Sequence, residues 1–481
     1  MTIRHHLLIF LYGALLLLPF LDNGTVLSRH EVLAAEPARE MLEAGAPWSI
    51  QTFAGQPRTD KPPTMSWLIA LSMKLFDSRS EFVCRLPAAL AGIVAAHATA
   101  VIATRLLSSA AGLLAGLITL TTVWLQTQAR LSEADMPLVA AVTIAMAALL
   151  QPAGTDAPHA SKWQITRYSV LFYGATGFGF LLKGVAPMIT IPAAIIYAVW
   201  ARDAWARRVL TNPFGIIVLI SLLIIWPIAA YLTHPPIIHA WYMHLFGRAT
   251  GELQGKDELT LISYVVGLAF YFWTIPYLIL PATPAAVIGV WKSGRRWRDS
   301  RAAMFLIAWV TPFLIVLMLS AWKHKHYAFP LMPAFSVLAA YGTMVWMDSV
   351  RTPTRARNLL IAWFIGCGVT ILCVQKLILP SFDGYRGQAD FARRVNELIP
   401  DGQRVTLYGL GEAHLAFYLR DIPDRTDDIQ LQPPEKTRYL ICRQREYYDL
   451  QRGMKVERLL DGPTDEKKSD QLERLVLVRV N

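Results

Sequence analysis

Charge is what this sequence has least of. Only 17% of its 481 residues are Asp, Glu, Lys or Arg, against about 25% in a soluble domain. The deficit is gathered into long apolar runs, and 54% of the chain is hydrophobic. That excludes a wholly soluble protein and predicts a polytopic membrane chain. Cysteine is scarce as well. Cys84, Cys367, Cys373 and Cys442 show no metal-type spacing and are read as structural. There is no internal repeat, no low-complexity segment and no Gly-rich phosphate loop in the C-terminal part. Acidic residues are outnumbered, 35 against 46 Lys plus Arg, for a net charge of +11. In a membrane protein that excess belongs in cytoplasmic loops. No long basic stripe lies outside such loops, so nucleic acid is not an expected partner.

Apolar runs fall near 7–21, 83–104, 107–126, 136–151, 167–182, 185–200, 213–231, 263–290, 303–320, 328–347 and 359–379. A spanning helix needs about 20 apolar residues, so flanking residues must extend the shorter runs, and about eleven spans are expected. The first run lacks a small-x-small cleavage site and is expected to stay as an anchor. PPTMSWLIALSMKLF (62–76) is short, flanked by charge, and reads as an interfacial helix. ARDAWARRVLTN (201–212), KSGRRWRDSR (292–301) and DSVRTPTRARN (348–358) are short basic loops on alternate connections. That pattern puts them and the N-terminus in the cytoplasm, and an odd number of spans then puts the C-terminus outside.

From about residue 380 the composition becomes that of a soluble domain. VTLYGL (405–410), RYLICRQ (438–444) and LVLVRVN (475–481) read as strands. ADFARRVNELI (389–399) and GEAHLAFYLR (411–420) read as helices. The expected fold class is a polytopic α-helical membrane protein with a small C-terminal extracytoplasmic α/β domain. Residues 1–380 form the membrane domain, with a long first external loop (22–82), and residues 381–481 form the soluble domain.

The charges that do occur near apolar segments gather on the predicted external face, where they are costly unless they line a cavity or meet a partner. His30 and Glu31 follow the first run, and a carboxylate there can serve as a general base. Pro37 is expected to start a helix with Glu36 near its cap, leaving His30 and Glu31 on the turn before it. In QPRTDKPPTMSWL (56–68), Arg58, Asp60 and Lys61 precede a Pro-Pro that fixes an extended entry, and Arg58 is a candidate contact for the donor phosphate. Lys61 is a point charge suited to a phosphate at the headgroup level. Glu133 and Asp135 occupy a tight external turn, and Asp135 joins His30 and Glu31 as a candidate catalytic group. Lys183 stands alone in near-continuous apolar sequence, a functional position by default. His244 and Arg248 are four apart, on one face if helical, and His244 joins Asp60 as a candidate ligand pair for a divalent metal. Lys323, His324, Lys325, His326 and Tyr327 cluster between two apolar runs, where an anionic ligand is the economical explanation. Carboxylates and scattered cations on one face describe a site for a phosphorylated lipid and an acceptor.

The order of these segments resembles the GT-C glycosyltransferases, in the branch of protein O-mannosyltransferases and lipid A aminoarabinose transferases. The resemblance covers most of residues 1–380. It rests on EPAREML (36–42), TDKPPTMSWLIALSMKLF (59–76), CRLPAALAG (84–92), ARLSEADMPL (129–138), LLKGVAPMITIP (181–192) and KHKHYAFPLMP (323–333). It implies a GT-C type fold and a sugar donor on polyprenyl phosphate, undecaprenyl phosphate in a bacterium. It also implies inversion at the sugar carbon. It places the family's acidic pair on His30 and Glu31, so the usual aspartate is a histidine here and Glu31 becomes the implied base. It puts the metal-binding acid on Asp60 and the phosphate-binding lysine on Lys61. Lys183, Arg248 and Tyr327 fall where that family contacts donor phosphate or lines its cavity. A lipid, glycan or protein acceptor stays open, as does the sugar. The rival class is a transporter or flippase of a lipid-linked sugar, which should show repeat symmetry and charges at the bilayer midplane. The expected location is the cytoplasmic (inner) membrane, with the site and soluble domain on the periplasmic side.

Overall fold

The structure is a computed structural model. It describes all residues except 23–24, 60, 153, 155–158, 243–260, 299, 321–322, 429–437, 465–470 and 481. The calls on Asp60, His244 and Arg248 therefore lie outside the described residues. The chain divides into two units. One comprises Met1–Leu21, Asp60–Thr64 and Arg85–Lys376; the other comprises Asp22–Thr59, Met65–Cys84 and Leu377–Asn481.

In the first unit, each apolar run read from the sequence is helical. Among the described residues five helical stretches are long and apolar enough to cross a membrane: Glu81–Leu106, Pro213–Thr233, Arg301–Leu319, Lys325–Ser349 and Pro353–Phe382. Ala269–Leu278 and Thr283–Trp291 form a further apolar pair bent by 116°. Ile3–Leu17, Ser109–Thr121, Asp135–Ala148 and Ala186–Trp200 are shorter apolar helices, as is Thr64–Phe76, which from Met65 on belongs to the second unit.

Two devices hold this unit together without water. The first is close backbone approach. A Cβ on Gly342 would lie 1.8 Å from the Ala285 carbonyl oxygen, and one on Gly289 would lie 2.5 Å from that of Leu338. Helices Thr283–Arg298 and Met332–Ser349 therefore meet backbone to backbone, as small residues allow in an apolar solvent. The second is capping of helix ends by buried side chains, since lipid offers no donors. After helix Ile3–Leu17, Gln375 Nε2 donates to Leu16 O at 3.1 Å, and Arg130 Nη1 donates to Leu17 O at 3.1 Å. Arg85 Nη1 donates to Leu21 O at 3.0 Å. Elsewhere in this unit, Arg301 Nη2 pairs with Asp203 Oδ2 at 2.6 Å, and Tyr197 OH donates to the same oxygen at 2.6 Å. That pair joins two of the basic connections predicted to share a face.

The second unit differs from the sequence reading. The C-terminal break falls between Lys376 and Leu377, close to the expected 380, but the same unit also takes in Asp22–Thr59 and Met65–Cys84 from the first loop. Arg39, 0% exposed, is the reason. Its guanidinium donates to Ala416 O at 3.1 Å and Arg420 O at 3.3 Å, and pairs with Glu36 at 3.3 Å and Glu43 at 2.8 Å. The backbone N–H of Val26 donates to Asp383, and that of Leu27 to the Tyr418 hydroxyl. The helix here runs Arg29–Glu43, with Ser28 as its cap, so Pro37 lies inside it rather than at its start. A proline there deprives the carbonyl four residues back of its donor. That carbonyl is Leu33 O, and Arg58 Nη1 donates to it at 3.1 Å. Ala54 (φ 49°) and Gly55 (φ 71°) turn a small hairpin, Gln51–Phe53 with Gln56–Arg58.

The five-stranded sheet has the order Asp424–Thr426, Val405–Tyr408, Arg438–Arg443, Arg474–Val480, Val456–Thr464. The first three strands are parallel and the last two pairings antiparallel. The three predicted strands are present. The segment 411–420 forms only a 3₁₀ turn, His414–Tyr418, because its carbonyls and side chains bond the first loop instead, Ala416 O accepting from Arg39 and His414 donating to Leu27 O.

Gly342→Ala should lower the thermal midpoint, by the equivalent of about 1–3 kcal/mol for a forced helix separation. Gly366→Ala, where a Cβ meets nothing within 4 Å, should leave it unchanged. Burial pushes the Glu36 carboxyl up to about 7, with Arg39 opposing. A raised carboxyl stabilises the fold at low pH, and that contribution is lost as pH rises from about 4.5 through about 7. Glu36→Gln should therefore raise stability at pH 8 by about 1–3 kcal/mol and flatten the dependence of the thermal midpoint between pH 5 and 8.

Candidate active site

Asp135 is the first residue of helix Asp135–Ala148, and Lys183 the last of helix Lys162–Lys183. Each suits its terminus, since acids favour a helix N-terminus and cations a C-terminus. Gly184 (φ 69°) turns the chain immediately after Lys183, a backbone conformation that favours glycine. A Cβ on Gly179 would lie 2.9 Å from Pro187, so the returning chain packs tightly on the helix end. The result is direct contact between Lys183 Nζ and Asp135 Oδ1, with side chains 22% and 11% exposed.

The 3₁₀ turn Lys325–Leu331 supplies the rest. Lys183 Nζ stands 5.9 Å above the Tyr327 ring. The His326 ring meets Tyr327 edge-on at 4.6 Å and stacks on His324 at 5.1 Å. Phe329 anchors the turn against Trp124 at 6.2 Å, and the Tyr271 hydroxyl donates to His324 O at 3.2 Å. Lys61 and His326 both lie within electrostatic reach of Asp135. Four separate segments of one unit thus bring together a carboxylate, two lysines, a histidine and a tyrosine.

Other predicted residues take different places. Lys323 Nζ donates to Leu317 O at 2.8 Å and Met318 O at 2.6 Å, capping helix Arg301–Leu319. Burial also pulls its ammonium below the ordinary value. Lys325 is exposed. Arg58, Glu31 and His30 belong to the second unit. Arg58 is 8% exposed. It bonds Glu412 at 2.9 Å and Gln51 Oε1 at 2.7 Å besides Leu33 O, which spends its fork inside that unit. Glu31 is 1% exposed. Its Oε2 accepts the Ser28 N–H at 2.8 Å, completing a capping box. His30 is exposed beside it in the same first turn, so neither residue sits on the preceding loop. Among the described residues no three His, Cys, Asp or Glu side chains converge as a metal site.

Comparison with known proteins places this geometry in a wider frame. Residues 60–231 match the family model of dolichyl-phosphate-mannose-protein mannosyltransferase. An undecaprenyl phosphate-alpha-4-amino-4-deoxy-L-arabinose arabinosyl transferase from Pseudomonas savastanoi pv. phaseolicola is 23% identical over 368 residues. The match covers 72% of this chain and 62% of that relative's length. The crystal structure of ArnT from Cupriavidus metallidurans bound to undecaprenyl phosphate superposes with a TM-score of 0.75 at 17% identity. That match covers 98% of this chain and 97% of the other. The chain has the ArnT fold. An Archaeoglobus fulgidus oligosaccharyltransferase is more distant, with a TM-score of 0.55 at 12% identity, covering 88% of this chain and 64% of that one. The resemblance to GT-C glycosyltransferases is therefore borne out.

In this version of the ArnT fold, the family-matched stretch 60–231 includes Lys61, Asp135 and Lys183 but stops before the 3₁₀ turn. His326 was not singled out from its cluster by sequence reasoning. The available signal was its place beside Tyr327 at the entry to an apolar run. Arg58→Gln should lower stability by about 1–3 kcal/mol, the cost of leaving the buried Leu33 carbonyl and Gln51 amide oxygen without their donor. It should leave undecaprenyl phosphate affinity of the folded protein unchanged in a titration. A tenfold loss of affinity would return Arg58 to the donor site.

Proposed function

We propose that this chain is an integral-membrane glycosyltransferase. It moves a sugar from a polyprenyl-phosphate donor to an acceptor on the extracytoplasmic side of the cytoplasmic membrane, with inversion. The observation that carries this is the convergence of Lys61, Lys183, Asp135, His326 and Tyr327 in one unit. The donor class is supported by the similarity to an undecaprenyl phosphate-linked arabinosyl transferase and to an ArnT bound to undecaprenyl phosphate.

The chemistry follows from charge. A sugar phosphodiester carries one negative charge, and its leaving phosphate gains a second as the glycosidic bond breaks. Lysines fixed beside the phosphate stabilise that growing charge more than the ground state, which is how preorganised electrostatics accelerates a reaction. A hydroxyl acceptor must also give up a proton, and a carboxylate takes it. The resemblance points to Glu31 for this role. The geometry favours Asp135, because Glu31 holds its own helix cap, whereas Asp135 stands among the cations. Arg248 and Lys325 stay as proposed outer contacts of the donor. Asp60 and His244 stay as proposed ligands of a divalent ion, and no step here runs through it. The basic connections put the N-terminus in the cytoplasm, and the apolar runs make eleven traverses in this reading.

The test supplies membranes holding the protein with a panel of polyprenyl-phosphate sugars and native acceptors. One donor should be consumed by wild type. Lys61→Gln and Asp135→Asn should slow it by about 10²–10⁴-fold, and Glu31→Gln should not once folding is matched. Chelation that leaves the rate unchanged would remove the metal. Specific binding of a donor without consumption of any would favour a transporter.

A further inference from the structure

Lys183 presents a difficulty that the donor-site reading does not resolve. Its ammonium is already in contact with Asp135, in a site that excludes most solvent. A carboxylate held by a lysine is a poor base, and a lysine held by a carboxylate is a poor phosphate ligand. Both residues cannot do their work while they hold each other.

The surroundings allow an exchange. Lys183 sits at the end of its helix, on a four-carbon stem with Gly184 next, so its ammonium can swing without moving the helix. Its path is bounded by the Tyr327 ring, whose face offers a cation a favourable surface on the way. Asp135 is less free, being the first residue of a buried helix. Lys61 lies within reach of Asp135 from a different segment, so the carboxylate keeps a cation nearby if Lys183 leaves. An incoming phosphate anion competes with Asp135 for the mobile partner.

We propose that Lys183 is an exchangeable counter-ion: it holds Asp135 in the donor-free protein and passes to the donor phosphate on binding, thereby releasing Asp135 as the base. This rests on the reading of the cluster as the donor-phosphate site. The acceptor is then one with a proton to lose, a hydroxyl rather than a phosphate anion. In the step itself the acceptor oxygen forms a bond to the anomeric carbon as the bond from that carbon to the phosphate oxygen breaks. The electron pair stays on the phosphate, which leaves as a dianion beside Lys183 and Lys61. The acceptor proton passes to Asp135, giving a neutral carboxylic acid. Because the base is masked until the donor is in place, the donor-free site is inert.

The test measures binding, not turnover. Full-length protein in nanodiscs is titrated with undecaprenyl phosphate, with undecaprenol as the phosphate-free control. Four proteins form a cycle: wild type, Lys183→Gln, Asp135→Asn and the double variant. With exchange, Asp135 competes for Lys183, so losing Lys183 costs more when Asp135 is already neutral. The expected penalties are about threefold or less in wild type and about tenfold or more in Asp135→Asn, a coupling of the kind such cycles isolate. If Lys183 bridges both anions at once, the order reverses, because losing it also unmasks Asp135 repulsion. An equal or smaller penalty in Asp135→Asn overturns the exchange while leaving the donor site intact. No penalty from Lys183→Gln in either background, and none from Lys61→Gln titrated as a fifth protein, overturns the donor site itself. Lys183→Met and Asp135→Ser repeat the cycle if either first variant fails to elute as a folded monodisperse protein.

Discussion

A charge removed from water must be met by another charge, and the contact of Asp135 with Lys183 is where this chain meets that demand. Each stands at the end of an apolar helix, where breaking the pair by removing one partner leaves an uncompensated buried charge. The surrounding architecture serves to hold those two helix ends together. Gly179 lets Pro187 approach, Gly184 reverses the chain, and the 3₁₀ turn at Lys325–Leu331 closes over the pair with Tyr327 and His326.

The same demand explains the arginines that a search for phosphate ligands would collect first. Arg130 and Arg85 spend their donors on the carbonyls after helix Ile3–Leu17. Arg58 supplies the donor that Pro37 took from Leu33. Arg39 joins the first-loop helix to the carbonyls of Ala416 and Arg420. In each case a guanidinium fork satisfies backbone groups that would otherwise be buried unpaired. Lys183, with one compact charge and a flexible stem, is left for the work that needs movement.

This division sets what could be read from the sequence. Apolar runs located the helices, because bilayer crossing depends on local composition alone. Lys183 was legible because a lone charge in apolar sequence needs a partner, and Asp135 because it opens such a run. Which partner each found was not legible, since 48 residues separate them and the pairing depends on helix packing. Arg58 reads like Lys61 in sequence, yet its role follows from a proline twenty-one positions earlier. Lys323 reads like its neighbours, yet it caps a helix whose end no composition marks. Strand Val456–Thr464 was hidden by register shifts at Arg458/Leu460 and Asp461/Thr464. The joining of the first loop to the C-terminal segment rests on contacts more than 350 residues apart, which local patterning does not carry.

The central claim is that the lysine at the end of helix Lys162–Lys183 serves a phosphate. A cryo-electron microscopy structure of the protein in nanodiscs with undecaprenyl phosphate tests it most directly. The account requires phosphate density within hydrogen-bond distance of Lys183 Nζ and Lys61 Nζ, with the Asp135 carboxylate no longer in contact with Lys183. Phosphate density elsewhere, with Lys183 still on Asp135, would contradict it.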